Sequence, residues 1–110
     1  MTKILLIFLS LTIFTLTTSN AAIYKGQRVF LKKCLKCHDS GEVFIATYNI
    51  KEWTKWTKSE GRSLASLHLK SKKAKKSHNY FKSKSYTKKA KHLKDFLVEY
   101  AKDSGKVPVL

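Results

Sequence analysis

Cys34-Leu35-Lys36-Cys37-His38 constrains this chain more than any other stretch, because it sets the only two cysteines of 110 residues beside a histidine at fixed spacing. A C-x-x-C-H run is the attachment pattern of c-type haem. Two thiols three residues apart can each add to a vinyl group of one porphyrin. The next side chain, His38, then reaches the iron from one face as the proximal ligand. A chain that carries such a group must fold around a large, flat, apolar body, and short helices do this readily. Cys34 and Cys37 are therefore read as thioether positions and one covalent haem c as the cofactor.

The N-terminus places that chemistry. Lys3 gives a positive start, residues 4–16 are apolar apart from Ser and Thr, and small residues stand at Ser19 and Ala21. This is the layout of a secretory signal peptide cleaved after Ala21. The apolar run falls short of the ~18 residues that span a bilayer. The expectation is a signal peptide at 1–21, an exported or periplasmic protein, and one domain at 22–110. A domain of that size buries a modest core, and a covalent haem would staple it.

Charge bounds the partners. Residues 22–110 hold 22 Lys and Arg against 7 Asp and Glu, a net +15. Such a field attracts anionic partners, and export removes most of the case for nucleic acid. An acidic redox protein is the expected partner, with peripheral contact to an anionic membrane surface as a second use. Eleven of the lysines fall within residues 70–94, where no acidic residue occurs. Tyr80, Phe81 and Tyr86 interrupt that run. They are expected to tuck onto the core beneath a solvated lysine face.

The rest of the chain reads as helices without a strand. Gly26, Phe30, Cys34 and Cys37 recur at spacings of four, four and three, one face of a helix over 25–36. Turn residues and an apolar patch fill 39–47. Asn49 with Glu52 three residues later has the form of a capping box, opening a short helix that buries Ile50, Trp53 and Trp56 and ends at Gly61. Leu64, Leu67 and His68 share a face over 63–70. Ala90, Leu93, Phe96, Leu97, Tyr100 and Ala101 form the stripe of a last helix, stopped by Ser104-Gly105 and sealed by Pro108.

With these residues in view, 24–38 resembles the first helix and haem motif of the small class I cytochromes c. In that family a glycine stands eight residues, and a phenylalanine four, before the first cysteine, as Gly26 and Phe30 do here. The resemblance implies an all-α fold wrapped around one covalent haem. It also implies a last helix that crosses Gly26 with an aromatic, either Tyr100 or Phe96. The family usually ligates the second face of iron with a methionine, but the only methionine here is Met1. Family topology puts that ligand about twenty residues before the last aromatic. This favours His78, 22 residues before Tyr100. His68, on the apolar face of its helix with Leu64, is the second candidate, and His92, already on the last helix, the third, with a lysine, water or no sixth ligand as the remaining alternatives.

The expected function is that of a monomeric single-electron carrier rather than an enzyme. One alternative is a haem-based gas sensor or peroxidase-like enzyme with an open sixth position. Another is a haem-free protein in which Cys34 and Cys37 form a redox disulfide or hold zinc.

Overall fold

The computed structural model describes residues 20–110. The expected signal peptide lies outside them except for its last two positions, which already belong to the first helix. Among the described residues every regular element is helical and none is a strand, which is the expected all-α class. None of these helices is long and apolar enough to cross a membrane.

Helix α1 (Asn20–Val29) runs without a break into one wide π turn, Phe30–Cys34. Here the Leu35 N–H donates to the Phe30 carbonyl at 3.0 Å, skipping five residues instead of four. Single π turns inside α-helices are rare and concentrate at functional sites. The widened turn brings a spacing of four nearly full circle, so Cys34 stays on the core side with Phe30. The expected common face holds for Gly26, Phe30 and Cys34. It fails for Cys37, because regular helix ends at Cys34 and Cys37 lies exposed on the turn beyond it. That turn is held by the N–H groups of Cys37 and His38, both donating to the Cys34 carbonyl at 3.1 and 2.9 Å.

The last helix, α5 (Lys84–Glu99), packs against both α1 and the helix α3 (Ile50–Leu69). Its Ser83 cap accepts from the Tyr86 N–H at 3.2 Å, so it begins six residues before the expected apolar stripe. It also ends at Glu99, ahead of the expected stop, and Gly105 takes a positive φ of 74° in the turn that follows. At the α1–α5 crossing a Cβ on Gly26 would overlap the His92 carbonyl oxygen and lie 2.6 Å from the Phe96 Cβ. Only a glycine permits this approach. The aromatic at the crossing is Phe96, fully buried, and the Tyr100 ring packs beside it at 5.3 Å.

Short α2 (Gly41–Ile45) sets Ile45 into the core. Helix α3 (Ile50–Leu69) opens with the expected capping box: the Glu52 N–H donates to Asn49 Oδ1 at 2.8 Å and the Asn49 N–H to Glu52 Oε1 at 3.3 Å. Asp103, from beyond α5, accepts a third free donor, the Ile50 N–H, at 2.8 Å. The helix is interrupted at 58–61, where Ser59, Glu60 and Gly61 all have left-handed φ near 53°, 59° and 71°. The break agrees with the expected end at Gly61. It is braced by Tyr86, whose hydroxyl donates to the Gly61 carbonyl at 2.6 Å.

The lysine-rich run resolves into a 3-10 turn (Lys72–Ser77), a one-turn α4 (His78–Phe81) and most of α5. Its lysines are exposed apart from the half-buried Lys94, while Phe81 and Tyr86 are buried and Tyr80 is half-buried. This is the expected solvated face over an aromatic underside. Trp53, Tyr86, Phe30, Phe96, Ile45 and Leu93 are the largest fully buried side chains of the core.

Candidate functional site

A cavity of about 460 Å³ opens where the end of α1 meets α2, the second half of α3 and α4. That is within the roughly 300–1,000 Å³ of sites that hold small molecules and cofactors. Cys34, Cys37 and His38 line it from the α1 side, Phe44, Tyr48, Trp53 and Trp56 from α2 and the start of α3, and Leu64, Leu67, His68 and Phe81 from the rest. The aromatic residues hold one another: the Tyr48 and Trp56 centroids are 4.3 Å apart and those of Tyr48 and Trp53 5.1 Å. The buried Trp53 indole N–H donates to the Ile45 carbonyl at 2.9 Å, so it presents its apolar face without an unpaired donor.

Two imidazoles share this space. The His38 and His68 centroids stand 6.2 Å apart with planes at 85°. Imidazoles bound to opposite sides of one metal ion through bonds of about 2.0 Å put their centroids roughly 6 Å apart. The Nδ1 of His68 lies 2.8 Å from the Leu64 carbonyl, one helical turn back. A carbonyl only accepts, so Nδ1 carries a proton and Nε2 is the nitrogen left to bind another group. This is the usual way in which a metal-binding histidine is oriented and its tautomer set. The His68 ring also stacks on Phe81 at 4.2 Å. His38 stacks on Phe44 at 3.9 Å. Burial first, and then the His68 charge, hold the His38 pKa below its ordinary 6.5, with Asp39 opposing. His38 is thus kept neutral, the form in which imidazole binds a metal.

The two thiols differ. Burial, with Cys37 nearby, pushes Cys34 up to about 12, so it stays protonated at neutral pH. Redox-active C-x-x-C sites work by the opposite shift, a thiol lowered toward or below neutrality. The two cysteines are free rather than disulfide-bonded. Among the described residues no three His, Cys, Asp or Glu side chains converge as a zinc site requires.

The other two histidines lie elsewhere. His78 turns its Nε2 toward the carbonyls of His68 and Ser71, at 2.9 and 3.0 Å, and fastens the chain where α3 ends. His92 contributes its carbonyl to the Gly26 crossing and lines a separate groove. Distance along the chain favours His78, whereas the structure brings His68 to His38. A signal for this was present in the sequence: His68 follows Leu64 by four on a helix, the spacing that allows its ring to bond back to the helix and aim its other nitrogen outward.

Lys33 and Lys73 border the cavity, and exposed Cys37 lies at the same rim. Compared with protein-family models, with curated proteins and with solved structures, the chain finds no match in any of the three.

Proposed function

We propose that this chain is an exported monohaem c-type cytochrome that carries single electrons, its haem tethered through Cys34 and Cys37 and held between His38 and His68. The observation that carries the reading is the pair of imidazoles 6.2 Å apart in one aromatic cavity beside both cysteines of a C-x-x-C-H run. The residues present fit the group. The space is lined mainly by apolar and aromatic side chains, His68 offers a free Nε2, and the Trp53 indole N–H is already satisfied by the wall.

Bound haem supplies a one-electron couple at its iron. The protein's residues do the rest. His38 and His68, both nitrogen donors, favour a lower potential than a methionine and histidine pair, since methionine ligation raises it. Phe44, Trp53 and Phe81 exclude water from the couple, which limits the reorganisation that accompanies each change in charge. The exposed turn at Cys37 would leave one edge of a bound haem open to a partner. Lys33, Lys73 and the lysines beyond them supply the field that steers an acidic redox protein to that edge. His38 and His68 would each offer an imidazole to a bound haem, which favours electron carriage over the sensor or peroxidase alternative, since that needs an open position.

The test is attachment. Haem should stay with the protein through acid-acetone extraction, and either Cys34→Ala or Cys37→Ala should leave a single thioether with a shifted pyridine haemochrome band. Colour lost to the organic phase from the wild type would end the covalent reading.

A further inference from the structure

A second groove of about 360 Å³ lies between α1 and α5, next to the first cavity, with which it shares Lys33. Its lining is cationic. Lys25, Arg28 and Lys32 recur along one side of α1, and Lys33 and Lys89 add to them. No carboxylate lines it. The ion pair between Lys106 and Glu99 is outside this groove, so these cations face one another without a counter-charge.

Two further features point to a ligand. Among the described residues, two buried side-chain polar atoms have no hydrogen-bond partner, the Tyr80 hydroxyl and His92 Nδ1. Both residues line this groove. Unpaired buried polar atoms are few in native proteins, and each asks for an explanation such as a bound ion. Burial pushes the Tyr80 pKa well above its ordinary value, so the hydroxyl stays an O–H donor at any physiological pH. Lys33 sits with its Nζ 5.2 Å from the Tyr80 ring centroid, which places a cation beside that donor.

We propose that this groove binds a compact phosphate-class anion, a phosphate monoester or pyrophosphate group. Arg28 gives the planar two-pronged contact that matches phosphate oxygens, and the lysines act as point charges around it. The Tyr80 hydroxyl supplies a donor from beneath, and the unpaired His92 Nδ1 lies beside the same groove. The free anion and an anionic lipid headgroup present the same chemistry to these residues. The site uses neither cysteine and neither His38 nor His68, and Lys33 is its one lining residue shared with the cavity beside the C-x-x-C-H run.

Titration calorimetry of the whole exported protein with sodium pyrophosphate tests it, at fixed ionic strength set by chloride. Saturable one-to-one binding is expected. Arg28→Gln and Lys89→Gln should each weaken it roughly tenfold, the loss of one charge-assisted contact, and Tyr80→Phe should weaken it less. Lys51→Gln, the same charge change on exposed α3, should leave it unaltered. Vesicles containing phosphatidic acid give the second arm. If they bind through Arg28 and Lys89 and pyrophosphate competes, the headgroup is the occupant, and if only soluble pyrophosphate binds, the free anion is. No saturable binding in either arm, or equal weakening by Lys51→Gln and Arg28→Gln, would reduce the groove to diffuse surface charge and overturn the proposal.

Discussion

The two structural frames of this molecule are built on different principles. Where α1 crosses α5, backbone meets backbone at Gly26, Phe30 and Phe96 interlock at 5.5 Å, and the helices are long and continuous. Between 58 and 81 the chain instead passes through three left-handed residues, half a helix, a 3-10 turn and a single helical turn. The first region holds Cys34 and aims His38. The second region delivers His68 by way of a hydroxyl brace and a histidine that caps carbonyls. A rigid crossing suits the fixed half of a cofactor site. A jointed wall lets the opposing residue be placed by a few specific hydrogen bonds, so its position depends on side chains rather than on helix register.

That contrast predicts unequal tolerance to substitution, and the crossing should be the less forgiving. Gly26→Val must displace the His92 carbonyl and the Phe96 Cβ together, neither of which is a flexible chain end. Overpacking usually costs about 1–3 kcal/mol, and backbone against backbone belongs at or beyond the upper end. Denaturant unfolding should show a loss of about 3 kcal/mol or more, or no folded protein. A loss under about 1 kcal/mol, the low end of that range, would mean that the helices can separate, and the distinction between the regions would fail.

The jointed wall should separate function from stability. In the haem-loaded protein His68→Ala should turn a low-spin ferric spectrum high-spin and admit cyanide or carbon monoxide quickly, with a modest change in stability. His78→Ala should do the reverse. It leaves the spectrum low-spin but removes the donor shared by the His68 and Ser71 carbonyls, at a cost of about 1–2 kcal/mol. If His78→Ala opens the iron while His68→Ala does not, the ligand assignment moves to His78. A wild type already high-spin would favour the sensor or peroxidase alternative.

How much of this was legible follows the same division. Short-range signals read correctly: Asn49 with Glu52 as a capping box, Gly61 as a break, and Gly26 with Phe30 as the face that meets the last helix. Each is fixed by spacing within one helix or by a residue's own backbone limits. The points left open or missed depend on contacts between distant segments. The crossing aromatic, left open between Phe96 and Tyr100, is Phe96, because the backbone that meets Gly26 is that of His92, one turn before it. Asp103 caps α3 from 53 residues away, which no local pattern announces. His68 rather than His78 stands beside His38, because His78 turns back to bond the carbonyls of His68 and Ser71. Counting residues to the last helix cannot anticipate that.

The smallest effect sharpens the comparison at the joint itself. Ser59 and Glu60 are non-glycine residues in left-handed backbone, each costing roughly 1–2 kcal/mol against an ordinary conformation. The Tyr86 hydroxyl bond to the Gly61 carbonyl is a buried contact from α5 that offsets this locally. Tyr86→Phe keeps the ring in the core and removes only the hydroxyl, so a loss of about 1–2 kcal/mol is expected in denaturant unfolding at neutral pH. Alkali provides the check. Burial first, and then the nearby Tyr80 and Cys34, raise the Tyr86 pKa above its ordinary 10. The folded state therefore holds this proton while the unfolded state releases it, and the stability it contributes is complete below pH ~10 and declines as pH rises beyond that. The Tyr86→Phe variant has no proton to lose at this position, so the gap between wild type and variant should narrow above pH ~10. A gap that stays constant through that range would show that the hydroxyl is exposed to solvent and braces nothing.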